Sequence, residues 1–236
     1  LGGGEEAAMP ANRISAEMSH RRPALVPGLL QAAARNQSRG HMDMALFEVG
    51  YAFHGGEPEE QHLLVSGILV GRTGPKDVHG AMRPVDLFDA KADAEAVLAA
   101  IGAPAKVQIM RGAREWWHPG RHGKICLGPK KMLGIFGELH PRVLSQMDVK
   151  GPVVGFTLWP AEIPMARKSG SGRGAMEISD LQAVERDFAF VVDEGVAALT
   201  LVNAAAAADK QLIETVRVFA VFIGGANVQN FFAFLA

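Results

Sequence analysis

Six consecutive residues, Trp117-His118-Pro119-Gly120-Arg121-His122, form the densest run of side chains able to do chemistry. Imidazoles four apart would share one face of a helix and could hold a metal ion. Glu138 and His140 could complete a three-ligand set, as a metal hydrolase would need. Pro119 and Gly120 oppose a helix there, so the run also reads as a structural turn or a partner contact, and no metal ligand is assigned. Glu138 and His140 lie two apart in Phe136-Gly137-Glu138-Leu139-His140-Pro141. On a strand they would face the same side, which suits acid–base work. The other reading is a strand-to-helix corner set by His140 and Pro141. No nucleophile is evident nearby, so no catalytic residue is assigned.

Other candidates are weaker. Neither a Walker-type phosphate loop nor a dinucleotide-binding glycine fingerprint occurs. Asp86, Asp89, Asp93 and Glu95 could bind Mg²⁺, but acidic groups also favour the start of a helix. Cys126, the only cysteine, lies in an apolar run and reads as a core thiol, in keeping with a reducing cytoplasm. Arg167, Lys168 and Arg173 could meet phosphates, yet a few basic residues in a linker do not make a footprint.

The elements that must position these residues follow from periodicity. Pro23 and Pro27 limit any helix before Gly28, and a helix is expected over 29–38. Strands are expected over 45–53 and 63–70, joined as a hairpin with a long loop. A helix capped by Asp86 or Asp89 should run to Ile101. A short strand over 107–110 leads into a polar loop over 111–123. Strands over 124–127 and 132–139, a short helix over 141–147 and a strand over 153–158 follow. Residues 160–178 are rich in Pro, Gly, Ser and basic side chains and read as a linker. Beyond it, a strand over 185–193, an Ala-rich helix over 196–214 and strands over 216–222 and 231–235 give most of a ferredoxin-like unit. The expected organisation is a flexible lead-in (1–11), a core domain (12–159), the linker and a terminal domain (179–236). The start, without Met or a signal-peptide pattern, reads as a piece of something longer.

With 48% hydrophobic residues and 25 acidic against 24 basic side chains, the chain is neither disordered nor strongly charged. No apolar stretch reaches the ~18–20 residues that span a bilayer, so no membrane partner is expected. Near-neutrality gives no sign of a nucleic-acid partner. It conceals an asymmetry, however: residues 179–236 hold three basic and seven acidic side chains.

An ordered series of motifs carries a family resemblance. It comprises Arg22-Pro23-Ala24-Leu25-Val26-Pro27-Gly28-Leu29-Leu30, Leu46-Phe47-Glu48-Val49-Gly50 and His118-Pro119-Gly120-Arg121. Phe136 to Pro141 and Val184-Glu185-Arg186-Asp187-Phe188-Ala189-Phe190 complete it. Over roughly residues 12–236 the series resembles the C-terminal part of the β subunit of bacterial phenylalanine–tRNA ligase. The resemblance implies an α+β architecture: a class II synthetase-like antiparallel sheet flanked by helices, then an incomplete ferredoxin-like anticodon-binding domain. It implies a cytoplasmic α2β2 assembly in which the α subunit holds the active site, with ATP and Mg²⁺ serving the complete enzyme and tRNA-Phe as partner. No cofactor is assigned to this chain. The motif over 22–39 is an interface candidate through Leu25, Leu29, Leu30, Arg35 and Arg39, and an ordinary core helix is the equal alternative. His118, Arg121, Glu138 and His140 form the family-motif loop. Arg186 and Arg217 are RNA-binding candidates. A stand-alone RNA-binding or regulatory module is the alternative function.

Departures from the family pattern imply that this chain alone is inactive. His54 stands where catalytic class II cores carry an Arg, and a neutral imidazole cannot clamp phosphate in two-pronged fashion. The run Gly155 to Pro164 lacks the Gly-rich strand and terminal Arg of such cores. In the terminal domain Ala220 replaces the family's base-reading Asp, and Asn227 to Phe231 lacks its Lys pair, so the grip on tRNA-Phe is expected to be weakened or lost. An unfinished last domain should leave Phe231, Phe232 and Phe234 uncovered and prone to self-association.

Overall fold

The computed structural model describes residues 9, 20–74, 78, 80, 82–104, 107–112, 116–164, 182, 184–193, 195–224 and 228–235, with side chains described as far as Phe222. The lead-in apart from Met9, the basic residues 167, 168 and 173, and the side chains of Phe231, Phe232 and Phe234 lie outside that set. The chain divides into two compact units, Leu1–Ser171 and Gly172–Ala236.

The first unit is an antiparallel six-stranded sheet. Its strands are β1 (Met44–Phe53), β2 (Gln61–Val70), β3 (Gln108–Met110), β4 (Trp117–Leu127), β5 (Lys131–Leu139) and β6 (Val153–Leu158), in the order β1-β2-β6-β5-β4-β3. Strand β6 is buried along its whole length between β2 and β5. That is why it reads as a continuous apolar run rather than an alternating one. Helices α1 (Val26–Gln37) and α3 (Pro141–Gln146) cover one face, packing Leu29, Leu30, Ala33 and Val143 with Ile68, Val70, Ile135 and Leu139. Helix α2 (Leu87–Ala100) covers the other, packing Ala90, Ala94 and Leu98 with Phe136, Val154 and Phe156.

Three local expectations change in the first unit. Helix α1 begins at Val26, with Pro27 inside its first turn. Proline costs nothing there, because the first N–H groups of a helix have no intrahelical partner. The stretch expected as a polar loop over 111–123 is strand from Trp117 onward. A register shift between Trp117↔Leu139 and His122↔Gly137 takes up Pro119 and Gly120, and a bulge is where a strand tolerates them. The core also runs beyond residue 159 into the stretch expected as linker: Pro160–Glu162 forms a 3-10 turn and Ile163 is buried.

Helix α2 starts where the carboxylates are. The Asp86 side chain accepts from the N–H groups of Phe88 at 2.8 Å and Asp89 at 3.3 Å, while that of Asp89 accepts from Asp86 N–H at 2.9 Å. This reciprocal capping box satisfies donors that the helix leaves open.

The second unit has β7 (Arg186–Asp193), α4 (Ala198–Ala208), β8 (Val216–Gly224) and β9 (Val228–Leu235), with antiparallel sheet order β7-β9-β8. Helix α4 stops at Ala208, well short of residue 214. The Asp209 carboxylate accepts from Gln211 and Leu212 N–H, and that turn competes with another helical winding. Among the described residues of this unit none is buried, and Phe188, Val191, Leu212 and Phe222 are exposed.

Candidate functional site

The family-motif residues meet where β4 begins and β5 passes into α3. Arg121 and Glu138 form a two-pronged ion pair: Arg121 Nη2 donates to Glu138 Oε1 at 2.9 Å and Nε donates to the other carboxylate oxygen. Both project from neighbouring strands at the register shift that straddles Pro119 and Gly120. Hydrogen bonding to Glu138 raises the Arg121 guanidinium above its ordinary value, so this cation stays charged.

The histidines serve the backbone. His118 Nδ1 accepts from Gly120 N–H at 3.2 Å and fixes the turn at Pro119-Gly120. His122 Nδ1 donates to the His118 carbonyl at 2.7 Å, since a carbonyl can only accept. His140 sits just past β5 as the N-cap of α3, its Nδ1 accepting from Arg142 N–H at 3.1 Å, while its own N–H donates to the Trp116 carbonyl at 2.9 Å. The i,i+4 pair is therefore joined by a ring-to-carbonyl contact. Glu138 is engaged by Arg121, and His140 closes a strand-to-helix corner. No cluster of three or more His, Cys, Asp or Glu side chains arranged to hold a metal occurs among the described residues. Trp117 Nε1 and His122 Nε2 are buried without a hydrogen-bond partner among those residues, a feature that the sequence did not signal.

The remaining candidates are dispersed. Leu25, Leu29 and Leu30 are buried against this unit's own core, while Arg35 and Arg39 are exposed. In the second unit Arg186 on β7 and Arg217 on β8 are exposed, and Ala220 lies on β8. His54 follows β1 and its ring meets His62 edge-on at 5.1 Å. Its N–H donates to the Glu60 carbonyl at 2.9 Å. Gly155 lies inside buried β6, where a Cβ would come within 2.5 Å of the Gly67 carbonyl oxygen. Burial raises the Cys126 thiol above its ordinary value, leaving it inert.

Residues 4–159 match the family model described as the phenylalanyl tRNA synthetase beta chain CLM domain. The chain belongs to the phenylalanyl-tRNA synthetase β-chain family. Its similarity to named members of that family extends through the second unit. It is 73% identical over 226 residues to the phenylalanine–tRNA ligase β subunit of Ruegeria pomeroyi, covering 96% of this chain and 28% of the relative. The β subunit of Cereibacter sphaeroides is 61% identical over 224 residues, or 95% of this chain and 28% of the relative. The chain thus spans somewhat over a quarter of these β subunits. Among solved structures, a pyrrolysyl-tRNA synthetase from Desulfitobacterium hafniense aligns with 59% of this chain and 47% of its own at a TM-score of 0.44 and 16% identity. At that level the likeness decides nothing.

Proposed function

We propose that the chain is a non-catalytic segment of the β subunit of phenylalanine–tRNA ligase, supporting the α subunit and helping to position tRNA-Phe during ATP-dependent attachment of phenylalanine. The observation that carries this reading is the 73% identity to a named β subunit across 96% of the chain. The six-stranded antiparallel sheet with helices on both faces is consistent with a class II synthetase-like core. Helix α4 joins β7 to β8, and β9 inserts between those strands, which supports a ferredoxin-like, anticodon-binding type of second unit.

The residues at the expected ATP positions do not fit a triphosphate. His54 is short and engages His62, and β6 presents buried apolar side chains with no cation. Negative charge on phosphate calls for Arg or Lys donors in fixed geometry. ATP and Mg²⁺ accordingly belong, on this reading, to the complete enzyme. Contact with the α subunit in an α2β2 assembly falls to exposed Arg35 on α1 and Arg39 just past its C-terminus, because the leucines face inward. Contact with tRNA-Phe falls to Arg186 and Arg217, in a terminal segment whose acidic excess weakens phosphate binding. A cytoplasmic location accords with the unpaired Cys126; no described helix is long and apolar enough to cross a membrane.

Pyrophosphate exchange with the purified chain should show no phenylalanine-dependent turnover, and turnover would refute the non-catalytic assignment. Mixing the chain with an α subunit and sizing the product should give a complex. A chain that ignored the α subunit yet bound tRNA-Phe tightly would instead support a stand-alone RNA-binding module.

A further inference from the structure

A cleft of about 370 Å³ opens between α2 and the sheet, on the face opposite α1 and away from the family-motif corner. Its floor comes from β1, β2 and β6, with Val65, Leu69 and Phe156 prominent, and α2 supplies one wall through Asp93, Ala96 and Val97. The floor is aromatic by construction. The Phe156 ring lies across Gly67, where a Cβ would meet it at 2.6 Å, so only glycine lets the ring lie there. Phe47, 78% exposed, lines the cleft as a second aromatic group.

Asp93 is the sole charged residue in the lining. The other carboxylates of this helix are committed: Asp86 and Asp89 cap it and pair with Arg83, and Glu95 pairs with Lys91. The Asp93 side chain has no hydrogen-bond or ion-pair partner among the described residues. Asp93 lies on the open side of the cleft, exposed to solvent; partial desolvation there, with Asp89 as a lesser cause, lifts its carboxyl above the ordinary value. An unpartnered carboxylate beside aromatic faces and aliphatic walls is complementary to one chemistry: a positive charge carried on an apolar body.

We propose that this cleft binds a small apolar monocation, an alkyl- or arylammonium, with its hydrocarbon on Val65, Leu69 and Phe156 and its charge between Asp93 and Phe47. The site uses none of the residues assigned to the β-subunit function, so the two readings stand or fall separately.

The test is titration of the full chain with benzyltrimethylammonium, whose charge does not titrate, and with benzyldimethylcarbinol, its neutral near-isostere, by calorimetry and ligand-observed NMR. The cation should bind saturably and at least about tenfold more tightly than the alcohol, the ratio that one lost charge–charge contact near 1.4 kcal/mol produces. Asp93→Asn should remove that preference while leaving weak binding of both probes. Ala96→Met, at an exposed helix position where methionine is well tolerated, should fill the cleft and abolish binding of both. Unchanged tryptophan fluorescence and a single cooperative melting transition would show that both variants fold. Equal affinity for the two probes, wild-type binding by either variant, or no saturable binding at millimolar cation would overturn the proposal.

Discussion

Replacing Leu30 by Ala separates a core helix from an interface helix. Leu30 is fully buried in the first unit, packed with Leu29, Ala33, Ile68 and Val70. Truncation removes about three carbons from a site without solvent access, worth roughly 2.4 kcal/mol at about 0.8 kcal/mol each. The cavity left behind raises the cost to about 3 kcal/mol, within the usual range of roughly 2–5 for Leu→Ala. Urea unfolding followed by tryptophan fluorescence reads this unit selectively, because the three tryptophans, Trp116, Trp117 and Trp159, all lie in it. With a slope of about 2 kcal/mol/M, the midpoint should fall by roughly 1.5 M. Arg35→Ala and Arg39→Ala, at exposed positions of the same helix region, should change stability by less than about 0.5 kcal/mol. If Leu30→Ala also stayed within about 0.5 kcal/mol, and lowered only association with an α subunit, assignment of this face to the core would be refuted.

Four further outcomes follow from the same geometry. The Ser66 and Thr157 hydroxyls share a buried hydrogen bond of 2.9 Å, so Ser66→Ala should cost about 1–3 kcal/mol by stranding its partner, whereas the double change with Thr157→Val should cost less than the two single changes summed; strict additivity in urea melts would refute the coupling. Asp86→Ala should destabilise by about 1 kcal/mol, because the carboxylate that accepts from Phe88 and Asp89 N–H is lost while the backbone N–H of residue 86 still donates to Asp89, and Asp86→Asn by less; no loss on Asp86→Ala would show that the cap is unimportant. Asp93 holds its proton more firmly folded than unfolded, its carboxyl lying above the ordinary 3.8, so its share of stability is present at low pH and declines as pH rises through the folded value. Asp93→Asn should flatten that decline in urea melts taken across the acid range. Asp89, held below 3.8 by Arg83, contributes the opposite slope, with stability lost as pH falls through its folded value, and Asp89→Asn should remove that loss.

Much of the framework was written locally. Asp86 followed by Asp89, ahead of an alanine-rich run, specifies a helix start whatever surrounds it, and the apolar runs of β2 and β6 specify buried strands. Five ordered motifs gave the family, because their residue types and spacing are properties of the chain itself. Local signals failed where long-range partners decided the outcome. Pro119 and Gly120 read as loop, yet pairing with β5 drew the segment into β4 and displaced the irregularity into a bulge. Leu25, Leu29 and Leu30 could not be assigned to core or interface, because apolar residues look alike until something packs on them. Arg121 and Glu138, seventeen positions apart, acquired their pairing from strand register alone. The cleft at Asp93 was equally invisible: in sequence this carboxylate belongs to an acidic helix start, and only the sheet beneath it left it unpaired beside Phe47 and Phe156. The sequence by itself determined most of the elements and the family, since those depend on residue type and near-neighbour spacing. Tertiary structure alone decided which faces were buried and which charges were paired, since both depend on residues brought together from distant parts of the chain.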